Sequence, residues 1–430
     1  MTNRFVILRV LCVLCGYSSG VAAVIAAPGE VVRVEGAAFL GELVSVGGDG
    51  VVTFRRAARE GMVAEATAPS GEVRMRFSEL VRWGNFVAPR GQTIVVLADG
   101  GQIVTAADWA GGAAVRLEGD AVVVLSDLFG EIRLAKELVR GVVFAQRRHV
   151  AEREALVGRL RGEPSPPPSL KEAGKSDAVI LANGDRLSGS LTELARGSLT
   201  IEAKAGAVKL PLSRVDAVVL KSRQLSVVSR QLHYVVGLRD GSLVYASGVI
   251  ADEKELKLTV GESLSLAGGD VGDVVFLQQL GGRVVYLSNL EPADYRHVPY
   301  LSVDWPYQRD RNVLGEPLVV EGKRYLKGIG MHSAGRLSYR LDGKYSRFDA
   351  AVAIDDSAGG GGSVTFGVYV LRDGKMSEAY KSGIVRGGDA PRAVSIDLSG
   401  AQGITLTVDF ADRGDEMDRA DWLDARLVKN

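Results

Sequence analysis

The chain shows a recurring arrangement of apolar and polar residues around short turns. At residues 94–101, 179–185 and 235–242, an alternating apolar run leads into Asn-Gly or Asp-Gly. That dipeptide supplies the positive φ angles of a two-residue turn, and the alternation supplies strands with one buried face. Each place therefore predicts the start of a β-hairpin.

Further short strands follow each hairpin, so the pattern predicts a repeated small β unit. Such units are expected at residues 28–90, 91–144, 177–222 and 223–283. Closing each one into a barrel would bury one face of every strand and remove exposed edges. A single irregular β-sandwich built from the same hairpins is the alternative.

The unit at 177–222 contains the most specific sequence motifs of the four. It contains NGDRLSG at 183–189 and LPLSRVDAVVL at 210–220. These strings resemble the small Sm-like or SH3-like barrels of exported bacterial proteins, and the other three units resemble them faintly. The resemblance implies a barrel fold and no catalysis.

The β pattern is interrupted between the second and third units. Residues 145–161 are rich in Arg, Glu, Ala and Leu, with Val157 and Leu160 at helical spacing, which predicts a surface helix. Residues 162–177 hold four prolines among Ser, Lys and Glu, a composition that favours an extended linker. Residues 145–176 are therefore predicted to form a helix and a proline-rich linker.

The region 284–430 alternates apolar and polar residues over many short runs separated by Asp-Gly or Gly-rich turns. The strongest runs are 337–341, 348–354, 364–371, 393–398 and 404–410. LDGK at 341–344 and RDGK at 372–375 are predicted hairpin turns. Two antiparallel sheets that face each other would bury the apolar sides of such strands, so the pattern predicts a β-sandwich.

Three strings in this region are distinctive: KGIGMHS at 327–333, LDGKYSRFDA at 341–350 and DRADWLDARL at 418–427. In this order they resemble the NPCBM family of carbohydrate-binding modules. The resemblance implies a galactose-binding-like jelly roll with a sugar ligand. The predicted fold class is therefore all-β: a β-sandwich jelly roll at 284–430, preceded by several small SH3-like or Sm-like β-barrel units.

Charge limits the classes of partner. The 430 residues contain 52 Lys and Arg and 52 Asp and Glu, so the formal net charge is zero. A chain without net charge has no strong field to attract a phosphate backbone or anionic lipid. Nucleic acid is therefore not expected as a partner.

The N-terminus predicts an export signal at residues 1–27. Arg4 precedes an apolar run at 5–15, and small residues follow at 18–27. An uncleaved anchor is the alternative, but Arg9 interrupts a run that is already short of the about 20 residues of a membrane span. We expect a secreted, periplasmic or cell-envelope protein with no transmembrane segment after cleavage.

Signatures of catalysis do not emerge from the sequence. Cys12 and Cys15 both lie in the predicted signal, so the mature chain would have no thiol for a disulfide, a metal or a nucleophile. GYSSG at 16–20 matches a serine-nucleophile pattern but also lies in the signal, with no strand before it. We expect a protein that is not an enzyme.

Sugar recognition needs an aromatic ring against the apolar face of a pyranose, and polar groups that bond its hydroxyls. The candidate ligand-binding residues are Trp305, Arg309, Arg311, His332, Asp421 and Trp422. The family resemblance places His332 and the segment 420–422 among the motif positions. Three alternatives stay open: Trp422 is a core residue, His332 ties down a turn, and the two arginines pair with surface carboxylates.

A run of aspartates suggests a metal site. They recur at a spacing of three, at Asp412, Asp415, Asp418 and Asp421. Hard cations take several oxygen ligands from one loop, so a structural calcium ion held by the first three is one interpretation. A solvated loop whose carboxylates neutralise Arg413 and Arg419 is the other.

The leading hypothesis is an exported, non-enzymatic protein that presents the jelly roll to a glycan or glycoconjugate. A second hypothesis makes the jelly roll a scaffold module with envelope proteins as partners. A third makes the chain an accessory part of a glycoside hydrolase. The third is disfavoured because the remaining residues look too fragmented for a catalytic barrel of about 250 residues.

Overall fold

A computed structural model of the protein describes residues 28–57, 71–89, 91–107, 114–145, 150–161, 176–221, 234–261, 264–300 and 303–430. The predicted export signal, both cysteines and nearly all of the predicted linker lie outside these ranges. Within them the chain consists of β-strands and one α-helix, which confirms the predicted all-β class. No helix in these ranges is long and apolar enough to cross a membrane.

The N-terminal part contains four sets of strands. The first set is β1 (Gly29–Arg33), β2 (Phe39–Val46), β3 (Val51–Arg56), β4 (Glu72–Arg76) and β5 (Leu80–Gly84). The second is β6 (Ile94–Leu97), β7 (Gln102–Val104), β8 (Val115–Glu118), β9 (Ala121–Ser126), β10 (Gly130–Ala135) and β11 (Val139–Val143). The third is β12 (Asp177–Leu181), β13 (Arg186–Ala195), β14 (Ser198–Ala203), β15 (Gly206–Pro211) and β16 (Val215–Val219). The fourth is β17 (Tyr234–Leu238), β18 (Leu243–Ala246), β19 (Gly248–Ala251), β20 (Leu256–Val260), β21 (Leu264–Ala267) and β22 (Val274–Gln279).

The four sets share one connectivity. In each, the first strand pairs with the second on one side and with the last on the other. A single 3-10 turn precedes each last strand, at Phe77–Glu79, Lys136–Leu138, Leu212–Arg214 and Val271–Asp273. The assignment of these sets to SH3-like barrels stays a prediction.

The predicted hairpin turns at the start of the last three sets are confirmed. Gly100, Gly184 and Gly241 have φ angles of 93°, 89° and 89°, a region that only glycine enters without strain. The strands on either side of each turn pair antiparallel.

The sets join through their last strands. β11 pairs with β16, with Val142 opposite Val218, and β22 pairs with β5, with Leu277 opposite Trp83. Because each last strand is also bonded to its own first strand, each junction is a continuous four-stranded sheet.

The predicted helix is present as α1 (Val150–Leu160). Its residues Leu156, Val157 and Leu160 pack on the junction between β11 and β16. A Cβ at Gly141 of β11 would contact Leu160 and overlap the carbonyl oxygen of Val218 at 2.3 Å. Glycine at that position therefore lets strand and helix approach closely.

The C-terminal part contains two sheets and a small hairpin. The first sheet is β23 (Val284–Tyr286), β25 (Gln308–Arg309), β28 (Gly328–Met331), β30 (Tyr345–Ile354), β34 (Arg392–Asp397) and β36 (Ala420–Lys429). The second is β24 (Asp294–His297), β29 (Gly335–Arg340), β31 (Ser363–Arg372), β32 (Lys375–Lys381), β33 (Val385–Arg386) and β35 (Gly403–Phe410). The hairpin is β26 (Leu318–Val320) and β27 (Lys323–Tyr325).

Apolar side chains of both sheets form one core, which includes Phe348 and Trp422 from the first sheet and Phe366 and Leu406 from the second. The predicted sandwich is thereby confirmed. One predicted turn is wrong: residues 341–344 join β29 of one sheet to β30 of the other, so LDGK is a crossing between layers. RDGK is a hairpin as predicted, with Arg372 opposite Lys375.

The sandwich packs directly on the first and fourth sets. Val34, Val81, Val284, Tyr286 and Val428 form one buried apolar cluster across this boundary. A buried ion pair crosses it too, because the Arg82 Nε lies 2.7 Å from the Asp424 Oδ2.

Candidate functional site

A cavity of about 240 Å³ lies at one end of the C-terminal sandwich. β24, β28 and β35 end there, and β29 and β36 begin there, so the surrounding loops are free of strand pairing. The lining residues come from three segments: Val303, Trp305, His332, Asp415, Met417 and Arg419. The structure thus brings together two of the predicted ligand residues, Trp305 and His332.

Trp305 and His332 form a parallel stack in this cavity. Their ring centroids are 4.9 Å apart, and the angle between the ring planes is 8°. The His332 side chain is largely buried, and burial lowers its pKa. The imidazole is therefore neutral at physiological pH.

The hydrogen bonding of His332 fixes its tautomer. Nδ1 lies 3.0 Å from the Ser333 carbonyl oxygen, which can only accept, so Nδ1 carries the hydrogen. In the neutral ring, Nε2 is then a hydrogen-bond acceptor. His332 does tie down a turn, as the alternative proposed, and it also lines the cavity.

β24 supports the stack from behind. The His297 side chain is buried; its Nε2 lies 2.9 Å from the Ser333 carbonyl oxygen, and its Nδ1 lies 3.3 Å from the Trp305 backbone nitrogen and 3.1 Å from the Asp304 Oδ1. The Tyr295 hydroxyl donates to the Trp305 carbonyl oxygen at 2.6 Å. Both stacked residues are therefore positioned by one strand.

The loop between β35 and β36 is held tightly against the same turn. Buried Asp418 accepts from the Ser333 Oγ at 2.6 Å and from the Ser363 backbone N–H at 2.8 Å, and burial raises its pKa. Met417 has a φ of 57°, a conformation that costs energy outside glycine and collects at functional sites. The lining residues of this loop thus have fixed positions.

Two charged side chains, Asp415 and Arg419, complete the lining. The Arg419 Nη1 donates to the Ser357 carbonyl oxygen at 2.6 Å, which anchors the guanidinium. A carboxylate only accepts hydrogen bonds and a guanidinium only donates them. The cavity therefore offers a flat aromatic pair, two acceptors and a fork of donors.

The structure places Trp422 and Asp421 elsewhere. Trp422 is fully buried in the core, with its ring edge-on to Phe366 at 5.2 Å, so it has no free face for a ligand. Asp421 is fully buried in β36, and burial together with the neighbouring Asp355 carboxyl raises its pKa well above the ordinary value. The prediction that these two residues bind ligand is corrected by their burial.

The two predicted arginines do not line the cavity either. Arg309 pairs with Glu291 at 2.7 Å and contacts the Tyr307 hydroxyl, as the alternative of surface pairing proposed. Arg311 is buried, and desolvation lowers its pKa to about 9, with Arg324 as a further cause.

The three aspartates of the calcium interpretation do not converge. Asp412 makes a two-fold contact with Arg386 at 2.6 and 2.9 Å, and this pairing lowers its pKa. Asp418 is engaged with Ser333 and Ser363, and Asp415 lines the cavity. Among the described residues, no three His, Cys, Asp or Glu side chains are grouped as metal ligands.

Sequence reasoning missed several residues of the site. Met417, Arg419 and Val303 line the cavity, and His297 and Tyr295 support it. A signal for His297 was present, because it is one of only four histidines and lies in a short segment rich in Tyr and Trp. Nothing local distinguishes Arg419 from the other arginines.

The fold of the C-terminal part is a β-sandwich with a cavity at one end. Residues 283–428 match the NPCBM/NEW2 domain family, so the predicted resemblance of the C-terminal region is confirmed.

Two curated proteins are similar to part of the chain. A protein of Renibacterium salmoninarum assigned as an endo-alpha-N-acetylgalactosaminidase is 32% identical over 114 residues, which are 26% of this chain and 7% of that one. Alpha-1,3-galactosidase B of Akkermansia muciniphila is 36% identical over 120 residues, 27% of this chain and 14% of that one. The chain thus matches a small part of each relative.

A solved structure is also similar. The CBM51 of Clostridium perfringens GH95 in complex with methyl-galactose is 25% identical, with a TM-score of 0.30, and covers 34% of this chain and 99% of that one.

Proposed function

We propose that the protein is an exported, non-catalytic carbohydrate-binding protein whose C-terminal domain holds a glycan or glycoconjugate in the cavity described above. The observation that carries this proposal is the stacked pair of Trp305 and His332 beside Asp415 and Arg419. The strand sets of the N-terminal part would present the domain at the cell envelope or outside the cell.

The lining matches the chemistry of a sugar ring. A pyranose has one face of C–H groups that packs on an aromatic surface, and hydroxyls around its rim that both donate and accept. Hydroxyls can donate to the His332 Nε2 and the Asp415 carboxylate and accept from Arg419. Each of these three side chains then has a hydroxyl as its hydrogen-bond partner: His332 and Asp415 accept from hydroxyls, and Arg419 donates to one.

The same lining favours binding over hydrolysis. Cleavage of a glycosidic bond generally uses two carboxyl groups on either side of the bond. Among the described lining residues, Asp415 is the one carboxylate, and its charged neighbour in the lining is Arg419. The cavity therefore supports recognition without a general acid and a nucleophile.

The relatives guide the choice of ligand to test. Their names refer to galactose and N-acetylgalactosamine. We therefore propose galactose-type sugars as the first ligands for calorimetric titration of the full chain. Because the cavity is shallow and small, we expect dissociation constants on the order of micromolar to millimolar.

Two variants of one loop make the test specific. Asp415→Ala removes an acceptor from the cavity and should weaken binding of methyl galactoside or N-acetylgalactosamine at least about tenfold. Asp412→Ala is the matched control, because Asp412 pairs with Arg386 outside the lining.

Equal affinities of the two variants would refute the assigned site. Wild-type protein that binds neither these sugars nor any member of a glycan array would refute the function and favour the scaffold hypothesis.

A further inference from the structure

Two aromatic rings lie exposed at the same end of the sandwich as the cavity. Tyr300 is 61% exposed and Phe410 is 45% exposed. Their centroids are 6.1 Å apart with the planes at 76°, so one ring meets the other edge-on. Neither ring belongs to the core of the sandwich, so the packing of the domain does not explain the pair.

The pair is close in sequence to apolar residues that line the cavity. Tyr300 lies three residues before Val303, and Phe410 begins the loop that carries Met417. Val303 and Met417 line the cavity and are themselves 57% and 43% exposed. The two segments that carry the rings therefore also carry exposed apolar side chains of the cavity lining.

The size and surroundings of the exposed ring pair indicate which kind of molecule binds there. Asp409 precedes Phe410 and Asp412 follows it; both are exposed, and Asp412 pairs with Arg386. A stable protein interface needs about 800 Å² from each partner, far more than two rings among charges provide. A sugar ring fits, because it presents one small apolar face bordered by hydroxyls.

We propose that Tyr300 and Phe410 form a second sugar subsite beside the cavity, so that the ligand class is a glycan of at least two units. This inference rests on the proposed function of the cavity. The first unit occupies the space lined by Trp305 and His332, and the next one stacks on the exposed aromatic pair.

Titration of the full chain with two probes tests the subsite. The probes are methyl galactoside, which has one ring, and an α-1,3-linked digalactoside, which ends in the same sugar. We expect wild-type protein to bind the digalactoside about tenfold more tightly than methyl galactoside, because its second sugar ring stacks on the aromatic pair. In Phe410→Ala and in Tyr300→Ala, the ratio of the digalactoside affinity to the methyl galactoside affinity should fall close to one.

Met376→Ala is the matched control. Met376 is 41% exposed, and its strand β32 pairs with the same strand, β31, as β35 does. It lies beside Leu371 at the opposite end of β31 from Phe410, which pairs with Val364. The ratio should keep its wild-type value in this variant.

The outcomes separate the two proposals. If methyl galactoside binds and Asp415→Ala loses it, yet the digalactoside binds no more tightly, the subsite is refuted and the cavity stands. A change of oligomeric state in Phe410→Ala with an unaltered ratio would show that a second copy covers the rings, which also refutes the subsite. If neither probe binds wild-type protein, both proposals fail.

Discussion

At the scale of single residues, the protonation state of His332 decides what the cavity can recognise. The neutral ring offers an acceptor at Nε2, whereas the protonated ring offers a donor there and adds a charge beside Arg419. Burial is the largest influence on this group, and it disfavours the charged form. The Ser333 carbonyl and the nearby Asp415 oppose that effect only in part, because the net shift of the pKa is downward.

The first prediction follows from the sign of that shift. Because burial lowers the pKa of His332 from its ordinary value of 6.5, sugar affinity should be constant from about pH 8 to pH 6.5 and should fall only on further acidification. Titration calorimetry across this range measures the effect. The variant His332→Gln, whose amide accepts a hydrogen bond but does not titrate, should show a flatter profile.

His297 and Asp415 also face this ring, so the variant is the necessary comparison. An equally steep acid loss in His332→Gln would show that the loss does not arise from His332 and would contradict the prediction.

At the scale of elements, two glycines of β28 set how closely its neighbours approach. A Cβ at Gly330 would lie 2.4 Å from the Arg311 carbonyl oxygen and 2.5 Å from the Asn312 carbonyl carbon. A Cβ at Gly328 would lie 2.7 Å from the Trp422 carbonyl oxygen. The Gly-Ile-Gly of the motif is therefore required by backbone contacts on both sides of the strand, and the same strand leads into His332.

The second prediction is that Gly330→Ala destabilises the domain by about 1–3 kcal/mol, because rigid backbone atoms have to move. The shift of β25 should also displace Trp305 and weaken sugar binding. Urea unfolding and calorimetry measure the two effects. Gly360→Ala serves as control, because a Cβ there meets nothing within 4 Å. Equal stability of the two variants would contradict the close approach.

At the scale of the whole molecule, the sandwich and the strand sets form a shared interface rather than separate bodies on a linker. Gln278 of β22 donates to the Tyr286 hydroxyl at 3.0 Å, and Arg347 of β30 pairs with Glu35 at 2.9 Å. The buried pair of Arg82 and Asp424 lies among these contacts. Removing one partner of a buried ion pair leaves the other charge desolvated.

The third prediction is that Asp424→Asn lowers the free energy of unfolding by roughly 3 kcal/mol and separates one unfolding transition into two. The physical reason is that the variant leaves Arg82 buried with only the half-exposed Glu30 as an ionic partner. Differential scanning calorimetry measures the number of transitions. Asp397→Asn breaks an exposed pair with Arg372 and should leave the stability close to that of the wild type. A single transition of wild-type stability in Asp424→Asn would contradict the coupling of the two parts.

The sequence by itself determined the features that depend on neighbouring residues. The hairpins at Gly184 and Gly241 follow from Asn-Gly and Asp-Gly, because φ angles are set locally. Period-two alternation located the strands of the sandwich, and the KGIGMHS string identified its family. Trp305 and His332 were recognisable because stacking and neutral hydrogen bonding belong to their side-chain chemistry.

Only the tertiary structure decided which side chains meet. Trp422 and Arg311 have the chemistry of sugar-binding residues, but the tertiary structure buries both of them. LDGK has the residues of a hairpin turn, yet its two strands lie in different sheets, because β29 pairs with β24 and β35 whereas β30 pairs with β34 and β36. The cavity combines Trp305, His332 and Asp415 from three separate segments. No local pattern encodes that combination, because burial and contact depend on the packing of the entire sandwich.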